Sequence, residues 1–410
     1  MILALRRIVG DRVLLGAALG IFANGVSFAA VMPYQSIVGV TRLGLAPAIY
    51  GGVTFVASLI AVLMSLAFGV ATDRGRSRSV IMSVALVVGV VGNGLVALAP
   101  GRQIFVLAHL LMIPVSVGIY GQFFAVVRIR TAQNPGPLAA AVSSIVRTMF
   151  LLAWMLAPLL SSELVRQGYA MVDVYLVAAV GCAVALVSVH LVRAVGAGPP
   201  GSVPAGTPRG DVARLASPDV LLPLLLVGLV VGATRLATIL LGLIVVQRGI
   251  AGSSDVGVFS GVLAGLEIPS MLLAGRAARS LPVQQIIWCG AVAFSIYLVG
   301  LAVAPTVVWL YVLTVPGAVG SAVIGGMTIG FLQDLLPHHP GAGSSLISVS
   351  SFVGSLAAAA IFGLGAGALG YSGVALVGAV LGAGAATLLL VHGRGVGSVR
   401  RRPRDRASTA

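Results

Sequence analysis

"RAVGAGPPGSVPAGTPRGDVAR", residues 193–214, decides how this chain is organised. It is polar, rich in Gly and Pro, and the only long linker between apolar runs. Gly and Pro punctuate regular structure, so the stretch reads as a boundary. On both sides, apolar runs of ~20 residues recur, the length of helix that crosses a bilayer's hydrocarbon core. Six precede it, at 13–40, 47–71, 79–99, 103–127, 138–161 and 170–192. Six follow, at 219–246, 254–277, 284–304, 307–333, 342–365 and 370–392. The pattern predicts an all-α polytopic membrane protein with twelve transmembrane helices in two six-helix halves. The halves are residues 1–193 and 218–392, joined by a cytoplasmic linker at 194–217 and followed by a basic tail at 393–410.

Composition agrees. The chain is 59% hydrophobic and 9% charged, against about 25% charged residues in a soluble domain. Its mean hydropathy is +1.10. The net charge is +15, and every basic residue is Arg. A basic balance can serve nucleic acid, but these arginines fall in short loops between apolar runs, where they carry topology. With the N-terminus inside, nineteen arginines lie in inside segments and four, Arg42, Arg102, Arg166 and Arg248, in outside loops. Both termini are therefore expected in the cytoplasm, in a multi-pass protein of the cell membrane. The first apolar run is too long for a signal-peptide core and reads as a transmembrane helix. Cys182 and Cys289 sit in apolar runs and read as packing residues. No metal cluster, nucleophile–base set or phosphate loop is present in the sequence, so neither an enzyme nor a cofactor is expected.

Charges inside the membrane carry most of the information, since each costs about 2.5–3.5 kcal/mol at a helix centre. Three are clear: Arg147, Arg235 and Glu267. Glu267 stands in "AGLEIPSMLLAG", residues 264–275, two positions before Pro269, which is expected to kink the helix. Arg147 and Glu267 both fall roughly 13–15 Å from the inner boundary at 1.5 Å per residue. Arg235, ~24 Å from that boundary, is expected to snorkel outward, pair with Asp255, or face the substrate path. Neutral candidates for a cavity are Asn24, Gln35, Tyr120, Gln122 and Gln333; each reads equally well as an interhelical hydrogen bond. Trp154 is ambiguous, and His109 reads as a core histidine.

The loop "FGVATDRGRSRSV", residues 68–80, resembles the signature of the major facilitator superfamily at Gly69, Asp73, Arg74, Gly75, Arg76 and Arg78. One residue separates Asp73 from Gly75 where the family pattern has two. Gly69 permits close helix approach, and Asp73, with Arg74, Arg76 and Arg78, is expected to latch the halves on the cytoplasmic side. The resemblance implies that spans five and eight face each other and that spans one, four, seven and ten line the cavity. An Arg147–Glu267 pair then follows, either as a static lock or as a pair that breaks while Glu267 takes a proton or meets substrate.

A closer resemblance is to the bacterial sugar efflux transporters. It rests on "SSIVRTMFLLAWMLAPLL" (143–160), on "AGLEIPSMLLAG", on "FLQDLLP" (331–337) and on "GQFFAVVRIR" (121–130). It implies export of a sugar, glycoside or related small polar molecule by proton antiport and alternating access, in a protein expected to act as a monomer within the lipid bilayer, without nucleic acid. A drug or natural-product exporter is the alternative, favoured by a cavity of Phe, Leu and Met. A non-transporting membrane sensor is the third reading.

Overall fold

The computed structural model describes residues 2–133, 136–192, 217–336 and 340–400; the side chains of 2, 73, 137, 140, 340–345 and 393–400 lie outside that description. The expected linker therefore falls outside the described residues except for Ser217, as do Arg193, Arg209, Arg214 and the tail beyond residue 400. Every described element is helical. Eleven helices are long and apolar enough to cross a membrane.

Most boundaries match the apolar runs to within a few residues. Span two is Pro47–Asp73, span three Arg78–Leu98, span five Pro137–Arg166 and span six Val174–Val192. Span seven is Pro218–Gln247, span eight Ser253–Ala277, span nine Val283–Val303 and span ten Val307–Asp334. Three differences are physical. Span one is α-helical over Arg12–Val31, turns, and resumes as a π-helix over Ile37–Arg42. Span four is built in pieces: Arg102–Leu107, a π-helical Ala108–Met112, Ile113–Val117 and Tyr120–Ala132. Pro114 lacks an N–H and so cannot continue the ordinary ladder. A further helix, Ile2–Gly10, precedes span one. At nine residues it is too short to register as a span.

Among the described residues the twelve expected runs give eleven candidate spans, because the last two form one segment, Pro340–Arg400, interrupted at Gly370 with φ 64° and ψ 173°. That conformation is essentially open only to Gly. The chain reverses there, as contacts along span seven demonstrate. Gly228 meets Val353 and Gly232 meets Gly354, so the first limb runs parallel to span seven. Gly378 meets Leu236 and Gly382 meets Ala233, so the second limb runs antiparallel to it. Arg248, just past the end of span seven, donates to Ser372 at 2.7 Å beside the turn.

The bundle has an arginine-rich end, where Arg12, Arg78 and Arg276 lie, and an arginine-poor end at Arg42, Arg102, Arg166 and Arg248. The two parts of the chain are joined at the arginine-poor end. Tyr34 donates to the Ser254 carbonyl at 3.4 Å, and Ser36 to the Ile239 carbonyl at 2.7 Å. The Tyr50 and Phe362 rings meet edge-on, 5.7 Å apart. A Cβ on Gly257 would lie 2.3 Å from the Pro158 carbonyl oxygen, so spans five and eight touch backbone to backbone. One large core spans both parts here, taking Tyr34, Ile37, Tyr50 and Phe105 from the first and Leu240, Ile244 and Phe362 from the second. Towards the arginine-rich end, the first part keeps its own core, from Ala4 and Leu14 to Val142 and Val192. A small separate core of Ala274, Ile286 and Val323 belongs to the second. The bundle is therefore sealed at one end and parted at the other.

Candidate functional site

Spans five and eight set the position of the two charges singled out in the sequence. Gly257 meets Pro158 and Ser162, Gly261 meets Met155 and Leu159, and Gly265 meets Met155. Extending this antiparallel register places Arg147 about one helical turn, roughly 5 Å, nearer the arginine-rich end than Glu267. The expected Arg147–Glu267 ion pair is absent: among the described residues, the ion pairs within 4.0 Å are Arg130–Asp11 and Arg166–Glu163. The cause is the parting of the helices, since both charges lie beyond the last close contact, at Gly265 and Met155. Each turns to its own part of the chain. Glu267 is half-buried on span eight, which packs against span ten. Arg147 is exposed on span five. Span eight runs unbroken through Pro269, whose neighbour Ser270 donates to the Leu266 carbonyl at 2.7 Å.

Above Arg147 lies a row of rings. Phe124 and Tyr120 stand 4.9 Å apart, Tyr120 and Phe150 4.5 Å, and Phe150 and Trp154 6.1 Å. Span one presses against the row, with Gly25 meeting Ala153 and Phe150. Beside Gly25, Asn24 is 1% exposed, yet both its amide atoms lack a hydrogen-bond partner. Gln122 Oε1 and Trp154 Nε1 are buried and unpartnered as well. A buried polar group without a partner costs about 1–3 kcal/mol. Tyr120 belongs to the ring row; Asn24 lies on span one and Gln122 on span four, two residues from Tyr120 and so on another side of that helix. Phe124, Phe150 and the indole of Trp154 were missed as site residues. Their signal was spacing: Phe150 and Trp154 are four residues apart, on one helix face.

Arg235 departs from one of its expectations. It does not pair with Asp255, whose carboxylate accepts from the Gly252 N–H at 2.8 Å and caps its own helix. Its Nε is buried without a partner. Arg235 shares a helix face with Ile239 and Gly242, which meet span one at Ser36 and Ile37, so it stands one turn below the seal. Gln35 lies in the turn of span one at that seal, and Gln333 is exposed at the arginine-rich end of span ten; neither joins the ring row. Of the expected latch, Gly69 faces open space, Arg74 and Arg76 are exposed, and Arg78 opens span three. The Asp73 side chain lies outside the described residues.

The comparisons with known proteins are consistent along the whole chain. Residues 17–359 match the model of the Major Facilitator Superfamily. A protein of Deinococcus radiodurans, provisionally named a sugar efflux transporter, is 28% identical over 387 residues, covering 92% of this chain and 97% of that one. Sugar efflux transporter B of Salmonella typhimurium is 27% identical over 361 residues, covering 86% and 88%. Sugar efflux transporter A of Dickeya chrysanthemi is 26% identical over 380 residues, covering 90% and 92%. Among solved structures, a point mutant of the nucleoside transporter NupG superposes with a TM-score of 0.78 at 12% identity, over 92% of this chain and 99% of that one. A bacterial homologue of the lysosomal transporter Spinster, in an inward-facing and occupied conformation, gives 0.72 at 13% identity, over 93% and 96%.

Proposed function

Because the chain belongs to the major facilitator superfamily, and so is a multi-pass membrane transporter, we propose that it is a secondary active exporter of a sugar, glycoside or related small polar molecule. The observation that carries this reading is the row Phe124–Tyr120–Phe150–Trp154, with the unpartnered Trp154 Nε1 at its end and unpartnered amides, Asn24 and Gln122, on spans one and four. Sugars present alternating hydroxyls and an apolar ring face. Amides satisfy the first, and aromatic rings cover the second. The names of the Salmonella and Dickeya relatives support the same substrate class.

The excess of arginines at one end supports placing that end in the cytoplasm of a bacterial cell. The parted end then opens inward, the side from which an exporter loads. Transport by alternating access follows if the seal at Ser36 and Gly257 opens as the arginine-rich end closes. In this reading the latch residues at 69–78 meet the second half only in the outward-open state. Glu267 is the acid placed to carry the coupling proton. Its position beside the opening lets a proton taken up from outside leave to the cytoplasm while the arginine-rich end is parted, and closure around substrate then brings Arg147 towards the carboxylate and keeps it ionised.

The test is uptake of labelled sugars and common antibiotics into everted vesicles, with and without an acid-inside pH gradient. We expect sugar accumulation that rises with the gradient, and Glu267→Gln to abolish the gradient-driven part. Accumulation of antibiotics alone would assign the protein to drug efflux, a reading favoured by Phe124 and Phe150. Gradient-driven export by the Gln variant would remove Glu267 from coupling.

A further inference from the structure

Span seven is an interior helix with one open side. From Leu226 to Val246 none of its residues is exposed. Gly228 and Gly232 press on the limb before Gly370, and Ala233 and Leu236 on the limb after it. Between Val230 and Val246 the partly accessible residues are Val231, Thr234, Arg235, Thr238 and Ile239. They fall at i, i+3, i+4, i+7 and i+8, which is one continuous helix face. Gly242, seven residues beyond Arg235 and on the same face, meets Ile37 and Pro33 of span one. The face therefore looks across to the first part of the chain, closed at Gly242 and open below it. The seal also stands between Arg235 and the arginine-poor end.

The polar groups on this face are complementary to one kind of ligand. Thr234 donates to the Val231 carbonyl at 2.7 Å, and Thr238 to the Thr234 carbonyl at 3.0 Å. With their protons committed, both hydroxyls keep only acceptor capacity. Arg235 can only donate. Its Nε is buried without a partner, and among the described residues neither ion pair within 4.0 Å includes it. Of the three charges inside the membrane, Arg147 and Glu267 cancel when closure brings them together. Arg235 then leaves a positive charge without a counter-ion, a costly state inside a helix bundle.

We propose that Arg235 binds a carboxylate on the substrate, so that the exported molecule is an acidic sugar, a conclusion that rests on the sugar-exporter reading and narrows it. A carboxylate accepts two parallel N–H bonds from a guanidinium. Ring hydroxyls donate to Thr234 and Thr238 beside it. A single negative charge balances the uncompensated arginine, whereas a phosphate dianion would exceed it.

The test measures uptake of labelled glucuronate and labelled glucose into everted vesicles carrying the full chain, with unlabelled glucuronate and glucose-6-phosphate as competitors. Wild type is expected to show a KM for glucuronate roughly tenfold or more below that for glucose, the scale of one charge-assisted pair. Arg235→Gln is expected to bring the two KM values together, and Arg235→Lys to restore most of the difference. The ratio is read within each variant, so a smaller amount of folded protein does not alter it. Equal KM values in wild type would overturn the carboxylate while leaving sugar export in place. A ratio preserved in Arg235→Gln would remove Arg235 from recognition. Stronger competition by glucose-6-phosphate than by glucuronate would overturn the carboxylate in favour of a phosphate ester. Uptake of antibiotics with neither sugar would overturn the sugar reading and this substrate with it.

Discussion

The Ser36 hydroxyl donates to the Ile239 carbonyl at 2.7 Å, tying the turn in span one to span seven across 203 residues of sequence. Three residues along span seven, a Cβ on Gly242 would lie 2.5 Å from Ile37 Cδ1 and 3.1 Å from the Pro33 carbonyl oxygen. The seal is a polar bond beside a close approach of two helices, so it can break without unpacking either part. Ser36→Ala is expected to weaken it by about 1 kcal/mol, which shifts the balance of sealed and open forms about fivefold. Distance distributions between spin labels on spans one and seven measure this; an unchanged distribution would exclude the bond from the closure.

Asn24 and Gln122 lead to a pair of opposite effects. Replacing a buried polar group that lacks a partner with an apolar one relieves a cost of about 1–3 kcal/mol. Asn24→Leu and Gln122→Leu are therefore expected to raise the melting temperature while lowering transport. A fall in stability with transport intact would show that these amides hold helices together instead of binding substrate.

Arg147 and Glu267 do not pair while the arginine-rich end is parted. Substituting each by Gln, singly and together, is expected to give stability effects that add to within about 0.5 kcal/mol under conditions that hold this conformation. A coupling of ~2 kcal/mol or more would reveal a direct ion pair.

Gly370 reverses the last helical segment at φ 64° and ψ 173°. Ala in that region costs about 1–3 kcal/mol. Gly370→Ala is expected to lower the melting temperature accordingly, whereas Gly10→Ala, in open space with no left-handed backbone, is expected to leave it unchanged. Equal melting of the two variants would contradict the reversal.

Asp11 is the titrating group that matters at the arginine-rich end. Burial pushes its carboxyl pKa up, but the Arg130 side chain and the N–H groups of Leu14 and Val13 together hold it below the usual carboxylate range. A carboxyl depressed in the folded state stabilises the fold fully above its unfolded pKa and loses that contribution as pH falls through the folded value. Asp11→Ala is thus expected to cost about 1 kcal/mol at neutral pH as a lost helix cap, with the difference from wild type shrinking below about pH 4. A difference that stays constant as the pH falls until the carboxyl is protonated would mean that the carboxylate charge contributes nothing.

The sites divide by how far apart in the chain their parts lie. Gly265, Glu267 and Pro269 were legible as a set because they share one helix, and a charge in an apolar run declares itself. Asn24, Tyr120 and Gln122 were legible only as candidates, since a lone amide in a membrane helix reads equally well as an interhelical bond. What sets Asn24 and Gln122 apart is buried amide atoms without a partner, a property of the helices packed around them. Trp154 was ambiguous in the sequence and Phe150 carried no reading; the ring row they form depends on Tyr120 of another span, 4.5 Å from Phe150. The helix Ile2–Gly10 escaped because its nine residues are too few for a span.

By itself the sequence determined the number and approximate bounds of the apolar runs, the basic asymmetry of the loops, and the presence of charges in the membrane. These depend on the length and composition of single segments, which the bilayer thickness and the cost of burying charge act on locally. The tertiary structure alone decided that the bundle is sealed at the arginine-poor end, that Arg147 and Glu267 stand apart, that Arg235 stands below the seal and away from Asp255, and that the last helix folds back at Gly370. Each of these is a matter of register between helices distant in the chain. A shift of one turn, about 5.4 Å, changes which side chains meet without altering the hydropathy of either helix.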